Sequence, residues 1–250
     1  MVMGSNLGHK PLTGKTVLVT GGARRVGKTI VLACAGAGAD VIIHHGHSAG
    51  EAGEVCTQAR ALGVNAWVVQ SDLNDPEQAK ALIPSSFSLS PLYAVINNAA
   101  IFRPGGPMET DLAAWQEHLN TNLTAPFLIS RAFASLLPTG REGRIINILD
   151  WRALRPGVDH FAYTISKAGL AAMTQSLAAA LAPHIIVNGL ALGAILPPSD
   201  GSETPPITRQ VPAQRWASLE EVNQAVLFLL SGPSYITGEI IHLDGGRHLI

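Results

Sequence analysis

The sequence has few cysteines and few charged residues, and each shortage excludes a class of protein. The two cysteines among 250 residues, Cys34 and Cys56, have no metal ligand at close spacing, which favours the reduced cytoplasm over a secreted disulfide scaffold. The net charge of -1 provides no basic surface for a nucleic acid. Charged residues make up 14% of the chain and hydrophobic residues 47%, a balance that predicts a substantial core rather than disorder.

The stretch from Ala168 to Ser199 contains no Asp, Glu, Lys or Arg, which suggests a membrane span. Polar residues and Pro183 interrupt it, however, and no segment reaches the roughly 18 clean apolar residues that a span requires. We therefore predict a helix buried on two faces, followed by a buried strand, and no membrane association.

The domain organisation is simple. Residues 1–10 are glycine-rich and polar and lack the apolar core of a signal peptide, so we interpret them as a flexible leader. No composition break divides residues 11–250, which predicts a single domain. Residues 193–215 are rich in Pro, Ser, Thr and Gly, and we predict a long substrate loop there.

Short apolar runs alternate with longer helical patterns along the chain, as in folds built from βαβ units. Runs such as Val17-Leu-Val and Val41-Ile-Ile show no polar alternation, which suits strands covered on both faces. The sequence predicts an α/β fold, a single doubly wound Rossmann domain whose seven-stranded parallel sheet has helices on both faces. The predicted strands are Thr16–Thr20, Asp40–His45, Asn65–Gln70, Leu92–Asn97, Arg144–Leu149, Ile185–Asn188 and Glu239–Leu243. The predicted helices are Arg25–Ala37, Ala49–Leu62, Pro76–Ile83, Asp111–Leu136, Phe161–Ala182 and Leu219–Leu230.

The segment from Val17 to Thr29 fits two phosphate-binding motifs. From Gly22 it is G-x-x-x-x-G-K-T, the P-loop of nucleotide hydrolases. From Thr20 it is T-G-x-x-x-x-x-G, a dinucleotide-binding turn. Both motifs follow a strand and offer backbone N–H groups and a helix N-terminus to a phosphate. A P-loop enzyme also needs an acid at the end of a strand, which Asp150 could supply, so this segment alone leaves both interpretations open.

Tyr163 and Lys167 lie four residues apart at the start of a long apolar helix, and hence on one helical face. A nearby cation favours phenolate over phenol, so we expect Lys167 to lower the pKa of Tyr163 and to make it a proton donor near neutral pH. The helix follows a strand that ends in the Asp150 carboxylate. A hydride-transfer enzyme uses all these groups, whereas a P-loop protein leaves them without a role.

With these residues the chain resembles the short-chain dehydrogenases/reductases over nearly its whole length. Asn97-Asn-Ala-Ala100 stands where that family has N-N-A-G, and Asn122 matches its helix asparagine. Asp72 matches the acid that binds adenine, and the segment Tyr235–Gly246 is similar to the family's terminal strand and glycine-rich end. The resemblance implies a small-molecule substrate and a homo-oligomer, dimer or tetramer, packed through the predicted helices Asp111–Leu136 and Phe161–Ala182.

The resemblance also implies roles for individual residues. Tyr163 donates the proton, Lys167 holds the nicotinamide ribose, Asp150 assists the proton transfer, and Asn122 belongs to the proton relay. The implied cofactor-binding residues are Gly21, Arg24, Arg25, Val26, Gly27, His47, Ser48, Asp72, Leu73, Asn98, Ala99, Tyr163, Lys167 and Gly193. The implied substrate-binding residues are Arg25, Phe102, Asp150 and Tyr163.

The end of the second predicted strand favours NADPH as the cofactor. NAD-preferring enzymes place an acid there, which binds the ribose 2′-hydroxyl and repels a 2′-phosphate. This strand has no acid at that end, since Asp40 lies at its start. Arg24 and Arg25 supply guanidinium groups suited to phosphate, and His47 and Ser48 offer further donors.

Three histidines lie at and just after the end of the second predicted strand, and they suggest a metal site: His44, His45 and His47. Strand alternation places His44 and His45 on opposite faces, so they cannot easily chelate one ion together. We expect no metal.

Two positions narrow the resemblance to the pteridine reductases, which reduce biopterin- and folate-type rings. Arg25 replaces a glycine of the general pattern, and Asp150 stands thirteen residues before Tyr163, where the family has its serine. His47-Ser48 and Phe102 also match that subgroup, whose phenylalanine stacks the pterin. A carboxylate opposes the oxyanion that forms from a carbonyl, but with Tyr163 it can relay a proton to a ring nitrogen.

Other residues depart from the subgroup. Ala100 stands where it has a serine, and Trp151, Arg152 and Arg155 have no role that the sequence reveals. We therefore predict an NADPH-dependent reductase of a pteridine-type C=N bond, and keep a carbonyl or 3-oxoacyl reductase as the alternative. An NADPH-sensing protein without catalysis and a P-loop nucleotide-binding protein are remote alternatives.

Overall fold

The computed structural model describes residues 10–196 and 211–250, which form seven strands and seven α-helices. The strands are β1 (Thr16–Val19), β2 (Asp40–His45), β3 (Ala66–Gln70), β4 (Ala94–Asn97), β5 (Gly143–Asp150), β6 (Ile185–Leu192) and β7 (Ile240–Leu243). The helices are α1 (Arg25–Gly36), α2 (Ala49–Ala61), α3 (Pro76–Leu89), α4 (Leu112–Leu119), α5 (Ala125–Leu136), α6 (Phe161–Leu181) and α7 (Leu219–Ser231). A π-helical turn, Asn120–Thr124, joins α4 to α5, and 3-10 turns follow β5 and β7 at Trp151–Ala153 and Arg247–Leu249.

The strands are all parallel and lie in the order β3-β2-β1-β4-β5-β6-β7. The chain winds outward from β1 on one side and resumes at β4 on the other, so the strand order reverses between these two neighbours. In open sheets of this kind a ligand crevice lies at that point, outside the carboxyl ends of the strands. The predicted doubly wound Rossmann fold with a seven-stranded parallel sheet is confirmed.

Alternate residues of the central strands face two separate cores. Val17 and Val19 pack with α1, α2 and α7, whereas Leu18 packs with α3, α5 and α6. All three side chains are completely buried. Because both faces of the sheet are covered, its strands need no polar alternation, which explains the uniformly apolar runs in the sequence.

The described part of the uncharged stretch, residues 168–196, lies mainly in α6 and β6. Every residue of β6 is buried, and much of α6 is buried as well. No helix in the described part of the chain is long and apolar enough to cross a membrane. Residues 1–9 of the predicted leader and residues 197–210 of the predicted substrate loop lie outside the described residues.

Three elements differ in extent from the prediction. Helix α3 continues through Pro84 to Leu89 instead of ending at Ile83, since burial of Leu82, Ile83 and Ser86 outweighs the local penalty of a helical proline. The helix predicted from Asp111 to Leu136 is divided by the π-helical turn. Strand β6 extends beyond Asn188 because both β5 and β7 pair with its second half.

Candidate active site

A tyrosine and a carboxylate meet at the carboxyl end of β5. Asp150 is the last residue of that strand, and the first turn of α6 carries Tyr163 across to it. The Tyr163 hydroxyl donates a hydrogen bond to Asp150 Oδ2 over 3.1 Å. One turn further along α6, the Lys167 ammonium donates to the carbonyl of Ile148 over 2.7 Å. Three of the four side chains predicted for catalysis therefore lie close together on β5 and α6.

Burial determines the charge states of this group. It raises the pKa of the Asp150 carboxyl, against the opposing influence of Arg152, and it lowers the pKa of Lys167 to about 8. The pKa of Tyr163 is raised well above its usual value, by burial first and then by the charge and hydrogen bond of Asp150. A buried pair of this kind keeps the tyrosine as a phenol with its proton available to donate.

The expectation that Lys167 lowers the pKa of Tyr163 is therefore wrong for this arrangement. Its Nζ lies 5.9 Å from the centroid of the Tyr163 ring and is directed to Ile148. Asp150 is hydrogen-bonded to the phenol directly, and its effect on the phenol is the opposite one. The spacing of Tyr163 and Lys167 placed both on one helical face, but the neighbouring strand determines the field around the phenol.

Asn122 links α6 to the loop after β4. It lies in the π-helical turn and is fully buried. Its side chain accepts from the backbone N–H of Ile101 at 2.9 Å and donates to the carbonyl of Ile101 and to Ser166 Oγ, each at 3.0 Å. Ser166 donates in turn to the carbonyl of Tyr163 at 2.6 Å. The π-helical geometry, common at functional sites, thus anchors the start of α6, and Ser166 is a member of this network that the sequence did not indicate.

Phe102 lies beside the phenol with half of its surface exposed. Its ring meets that of Tyr163 edge-on at 4.6 Å and is stacked on His160 at 4.0 Å. His160 has a left-handed backbone with φ 53° immediately before α6, and its Nδ1 lies 3.0 Å from Asp159. The sequence indicated Phe102 but not His160, because only the folded chain brings the 98–106 loop against this turn.

The glycine-rich turn between β1 and α1 is tied to the end of β4. Asn98 donates to the carbonyls of Thr20 and Gly21, while Thr20 Oγ1 accepts from the backbone N–H groups of Asn98 and Ala99. A side chain at Gly27 would place its Cβ only 2.0 Å from the carbonyl oxygen of Gly21. The turn is therefore held tightly at the N-terminus of α1, the kind of position where backbone N–H groups bind a phosphate.

Arg25 has a left-handed backbone, with φ 50°. Glycine adopts this conformation freely, whereas another residue is strained there by about 1 kcal/mol. The backbone at this position therefore suits the glycine of the general family pattern, and Arg25 adopts it at a cost in strain.

A basic and an acidic side chain form an ion pair between the glycine-rich turn and the helix that follows β2. Arg24, in the glycine-rich turn, forms an ion pair with Glu51 in the first turn of α2. His47 and Ser48 lie in the turn between, with His47 exposed. The strand itself has no acid at its end, as the sequence indicated, but Glu51 lies six residues further along the chain and was not among the predicted site residues.

His44 connects the glycine-rich turn to the end of β3 and was not among the predicted site residues. Its Nδ1 accepts from the backbone N–H of Gly21 at 3.1 Å, and its Nε2 lies 2.9 Å from the carbonyl of Ser71. These partners require a neutral ring with the proton on Nε2. Burial lowers the pKa of His44 to about 4, which keeps that tautomer.

The remaining predicted residues lie along the same edge of the sheet. Asp72 and Leu73 follow β3, where the Asp72 carboxylate accepts from the N–H of Asn74 at 2.9 Å. Gly193 follows β6, and a Cβ there would meet the Asp244 backbone at 2.6 Å. Four strand spacings separate β3 from β5, which is about 19 Å. The predicted residues thus extend over this distance along the edge of the sheet where folds of this type bind their ligands.

The histidines at the end of β2 are separated as the alternation predicted. His44 faces the glycine-rich turn, and His45 is buried with no hydrogen-bond partner for its Nδ1 in the described structure. Within residues 10–196 and 211–250 no group of three or more histidine, cysteine or acidic side chains is arranged to hold a metal ion.

Known proteins resemble this chain over nearly its whole length. Residues 21–248 match a family model described as enoyl-(acyl carrier protein) reductase. The 3-oxoacyl-(acyl-carrier-protein) reductase FabG of Aquifex aeolicus is 37% identical over 243 residues, which cover 94% of this chain and 98% of that protein. The 3-oxoacyl-(acyl-carrier-protein) reductase of Synechocystis sp. is 32% identical over 240 residues, or 94% of this chain and 97% of that protein.

Solved structures give the same result. The crystal structure of FolM alternative dihydrofolate reductase 1 from Brucella suis, in complex with NADP, superposes with a TM-score of 0.87 at 35% sequence identity. The match covers 94% of this chain and 96% of that one. The similarity therefore includes the glycine-rich turn, the β5–α6 group and the C-terminal strand together.

Proposed function

The chain belongs to the short-chain dehydrogenase/reductase family of NADP-dependent oxidoreductases, and we propose that it reduces a C=N bond of a dihydropteridine-type ring. This membership sets aside the P-loop interpretation of the Gly22–Thr29 segment. The glycine-rich turn is then a dinucleotide turn, and Lys28 is an ordinary residue of α1.

NADPH is the cofactor that the crevice fits. The turn from Gly21 to Gly27 and the N-terminus of α1 would hold the pyrophosphate, and Arg24, His47 and Ser48 the 2′-phosphate. Arg25 would reach the cofactor and the substrate from the same turn. The other residues that would hold the cofactor are Val26, Asp72, Leu73, Asn98, Ala99, Tyr163, Lys167 and Gly193. When bound, NADPH supplies the hydride.

The observation that carries the pteridine proposal is the buried Asp150 carboxyl 3.1 Å from the Tyr163 hydroxyl. Reduction of a carbonyl creates an oxyanion, which a carboxylate at this position would destabilise. Reduction of a C=N bond instead requires a proton on nitrogen and creates no such oxyanion. Tyr163 donates that proton, and Asp150, whose pKa is raised by burial, assists by relaying one to the phenol.

The surroundings of Tyr163 support a flat aromatic substrate. Phe102 presents an exposed ring at 4.6 Å from the phenol, and His160 supports that ring from one side. An aromatic ring beside the proton donor offers stacking to a pterin. Asn122 and Ser166 hold the start of α6 in position for this geometry. The similarity to the dihydrofolate reductase from Brucella suis agrees with this substrate class.

The second candidate is a 3-oxoacyl reductase, which the names of the two curated relatives favour. Tyr163, Lys167 and Asn122 would serve either reaction. The two candidates differ at Asp150, since a carbonyl reductase benefits from a hydroxyl donor at that position.

Steady-state oxidation of NADPH tests the proposal. Wild-type protein is given dihydrobiopterin, dihydrofolate or a 3-oxoacyl thioester, and Asp150→Ser is assayed on the same three substrates. We expect pterin turnover by the wild type, and in Asp150→Ser a loss of pterin reduction with a gain in 3-oxoacyl reduction. Tyr163→Phe serves as the inactive control. Turnover of the thioester alone by the wild type would establish the second candidate instead.

We also propose that the protein is a homo-oligomer that associates through α4, α5 and α6. Apolar side chains are exposed on these helices at Leu112, Phe127, Leu136 and Ile165. Exposed apolar groups on neighbouring helices are stabilised by burial in a symmetric interface. Light scattering coupled to size-exclusion chromatography measures the assembly, and Phe127→Glu is expected to reduce its mass.

A further inference from the structure

The turn before α6 holds a histidine in an unusual backbone conformation. His160 has φ 53° and ψ 49°, which lie in the left-handed region. A residue other than glycine is uncommon there and is found where surrounding contacts hold it, often at functional sites. The contacts of the imidazole ring therefore indicate what this conformation achieves.

The imidazole of His160 contacts an acidic side chain at its edge and an aromatic ring on its face. Its Nδ1 lies 3.0 Å from Asp159 Oδ2, which also accepts a hydrogen bond from Arg152 Nη2 over 2.9 Å. Its plane is stacked on that of Phe102, with the ring centres 4.0 Å apart and the planes inclined by 12°. His160 therefore covers one face of the Phe102 ring.

The loop that carries Phe102 is held on both sides of this residue. Asn122, in the π-helical turn, binds the backbone N–H and the carbonyl of Ile101. On the other side, the N–H of Phe161 donates to the carbonyl of Gly105 over 2.8 Å. These bonds fix the backbone around Phe102, so the tilt of its side chain depends on the contacts of the ring itself.

The Phe102 ring is 52% exposed and lies beside the predicted proton donor. It meets the Tyr163 ring edge-on, with the centres 4.6 Å apart and the planes at 84°. An edge-on contact restrains a ring along a single rim, whereas a parallel contact across a whole face restrains its tilt. The stack with His160 therefore sets the plane that Phe102 presents next to the phenol.

We infer that His160 is a positioning residue, which orients the Phe102 ring so that a flat substrate stacks on it beside the Tyr163 hydroxyl. His160 acts through Phe102 and not on the reacting atoms. Because it immediately precedes the helical turn that carries Tyr163, the stacking ring and the proton donor are fixed relative to each other. This inference rests on the proposed reduction of a flat aromatic ring and adds the residue that determines its orientation.

His160→Asn tests the inference, because asparagine tolerates the left-handed backbone but has no ring to stack. With dihydrobiopterin as substrate, we expect its KM to rise about fivefold while kcat and the KM for NADPH change by less than about twofold. His160→Phe keeps a ring at this position and removes the contact with Asp159. It should restore the KM to within about twofold of the wild-type value.

A double-mutant cycle with Phe102→Leu distinguishes positioning of the ring from a general structural role. If His160 acts through the Phe102 ring, His160→Asn should raise the KM no further once that ring has been removed. Thermal unfolding shows whether each variant is folded. His160→Gly supplies a second ring-free variant whose backbone adopts the left-handed region freely.

His184→Asn is the matched control. This exposed histidine lies between α6 and β6, and its replacement should leave all three kinetic parameters unchanged. An unchanged KM in both ring-free variants, no recovery in His160→Phe, or effects that add to those of Phe102→Leu would overturn the positioning role and leave the pteridine proposal standing. Absence of wild-type turnover with either dihydrobiopterin or dihydrofolate would overturn both.

Discussion

Asp150 accepts a hydrogen bond from the hydroxyl of Tyr163 at 3.1 Å, and this contact determines which proton the site can move. The carboxyl raises the pKa of the phenol in addition to the effect of burial. Lys167, which is one helical turn away, is hydrogen-bonded to the carbonyl of Ile148 instead. The protonation of Tyr163 is therefore influenced from the end of β5, while α6 holds the side chain in place.

Replacing Asp150 with asparagine should lower the pKa of Tyr163, since the amide keeps a hydrogen-bonding oxygen but removes the negative charge that opposes phenolate. We expect the basic limb of the pH profile of kcat/KM to move to lower pH, and kcat to fall at least about tenfold because the amide relays no proton. Steady-state kinetics across pH measure both effects. Asp159→Asn is the control, because that carboxylate contacts Arg152 and not the phenol. An unmoved basic limb in Asp150→Asn would contradict the assignment.

Lys167→Met should produce a protein that is inactive but more stable at neutral pH. The pKa of this buried lysine is about 8 in the folded protein, against a usual value of 10.5. A base with a lowered pKa destabilises the fold below pH 8, and this penalty disappears as the pH rises through 10.5. At pH 7 it amounts to about 3 kcal/mol, from which the lost hydrogen bond to Ile148 subtracts about 1 kcal/mol.

Urea unfolding at pH 7 measures this change, and the gain in Lys167→Met should shrink as the pH approaches 10.5. Lys80→Met provides the comparison, because that lysine is exposed beside Glu77 and should alter stability by less than about 0.5 kcal/mol. A Lys167→Met protein less stable than the wild type would show that the hydrogen bond outweighs the cost of burial.

Because Arg24 forms an ion pair with Glu51, substitutions at either residue should change the preference for NADPH over NADH. Glu51 competes with a 2′-phosphate for the guanidinium, so Glu51→Gln should lower the KM for NADPH severalfold. Arg24→Gln should raise it by about tenfold, with a smaller change for NADH. Glu54→Gln, on the same helix and exposed, controls for a general change of charge on α2. Parallel changes with NADPH and NADH would argue against a 2′-phosphate contact at Arg24.

His44 should make the stability of the protein sensitive to acid. Its pKa is about 4 when folded and about 6.5 when unfolded, so the unfolded chain takes up the proton first. Stability is therefore full above pH 6.5 and decreases as the pH falls toward 4, by about 3 kcal/mol in total. His44→Asn should remove this part of the pH dependence, which chemical denaturation between pH 4 and 7 would reveal.

His45→Asn is the matched control for that experiment. It is the neighbouring residue, is also buried, and lies on the other face of β2. If its pH dependence of stability flattened as much as that of His44→Asn, the contacts of His44 with Gly21 and Ser71 would not be the cause.

The local pattern of apolar and polar residues was sufficient to predict most strands and helices of the fold. Each predicted strand is present in the described chain within a few residues, because a sheet covered on both faces requires short, uniformly apolar runs. The errors lie where tertiary contacts outweigh local preference. Pro84 led to a predicted helix end at Ile83, but α3 continues beyond it because its buried face packs against the core. The π-helical turn at Asn122 depends on contacts with Ile101 and Ser166, which the local sequence does not reveal.

The residues of the candidate site also divide into those that the local sequence could predict and those that depend on tertiary contacts. Tyr163, Lys167 and the glycine-rich turn could be recognised because their chemistry is expressed over a few neighbouring residues with helical or turn spacing. Asp150 could be singled out by its distance from Tyr163 along the chain. The amino-acid sequence by itself thus determined the positions of the strands and helices, the family resemblance and the choice of Tyr163 as the candidate proton donor.

Only the tertiary structure decided the charges and contacts that these residues meet. Glu51 beside Arg24, His44 between Gly21 and Ser71, and Arg247 on Trp151 join segments that are far apart in the chain. The direction of the pKa shift of Tyr163 also depended on where Lys167 pointed and on how deeply Asp150 was buried. Electrostatic effects depend on distance and solvent exposure in three dimensions, and neither quantity is encoded in the spacing of residues along the chain.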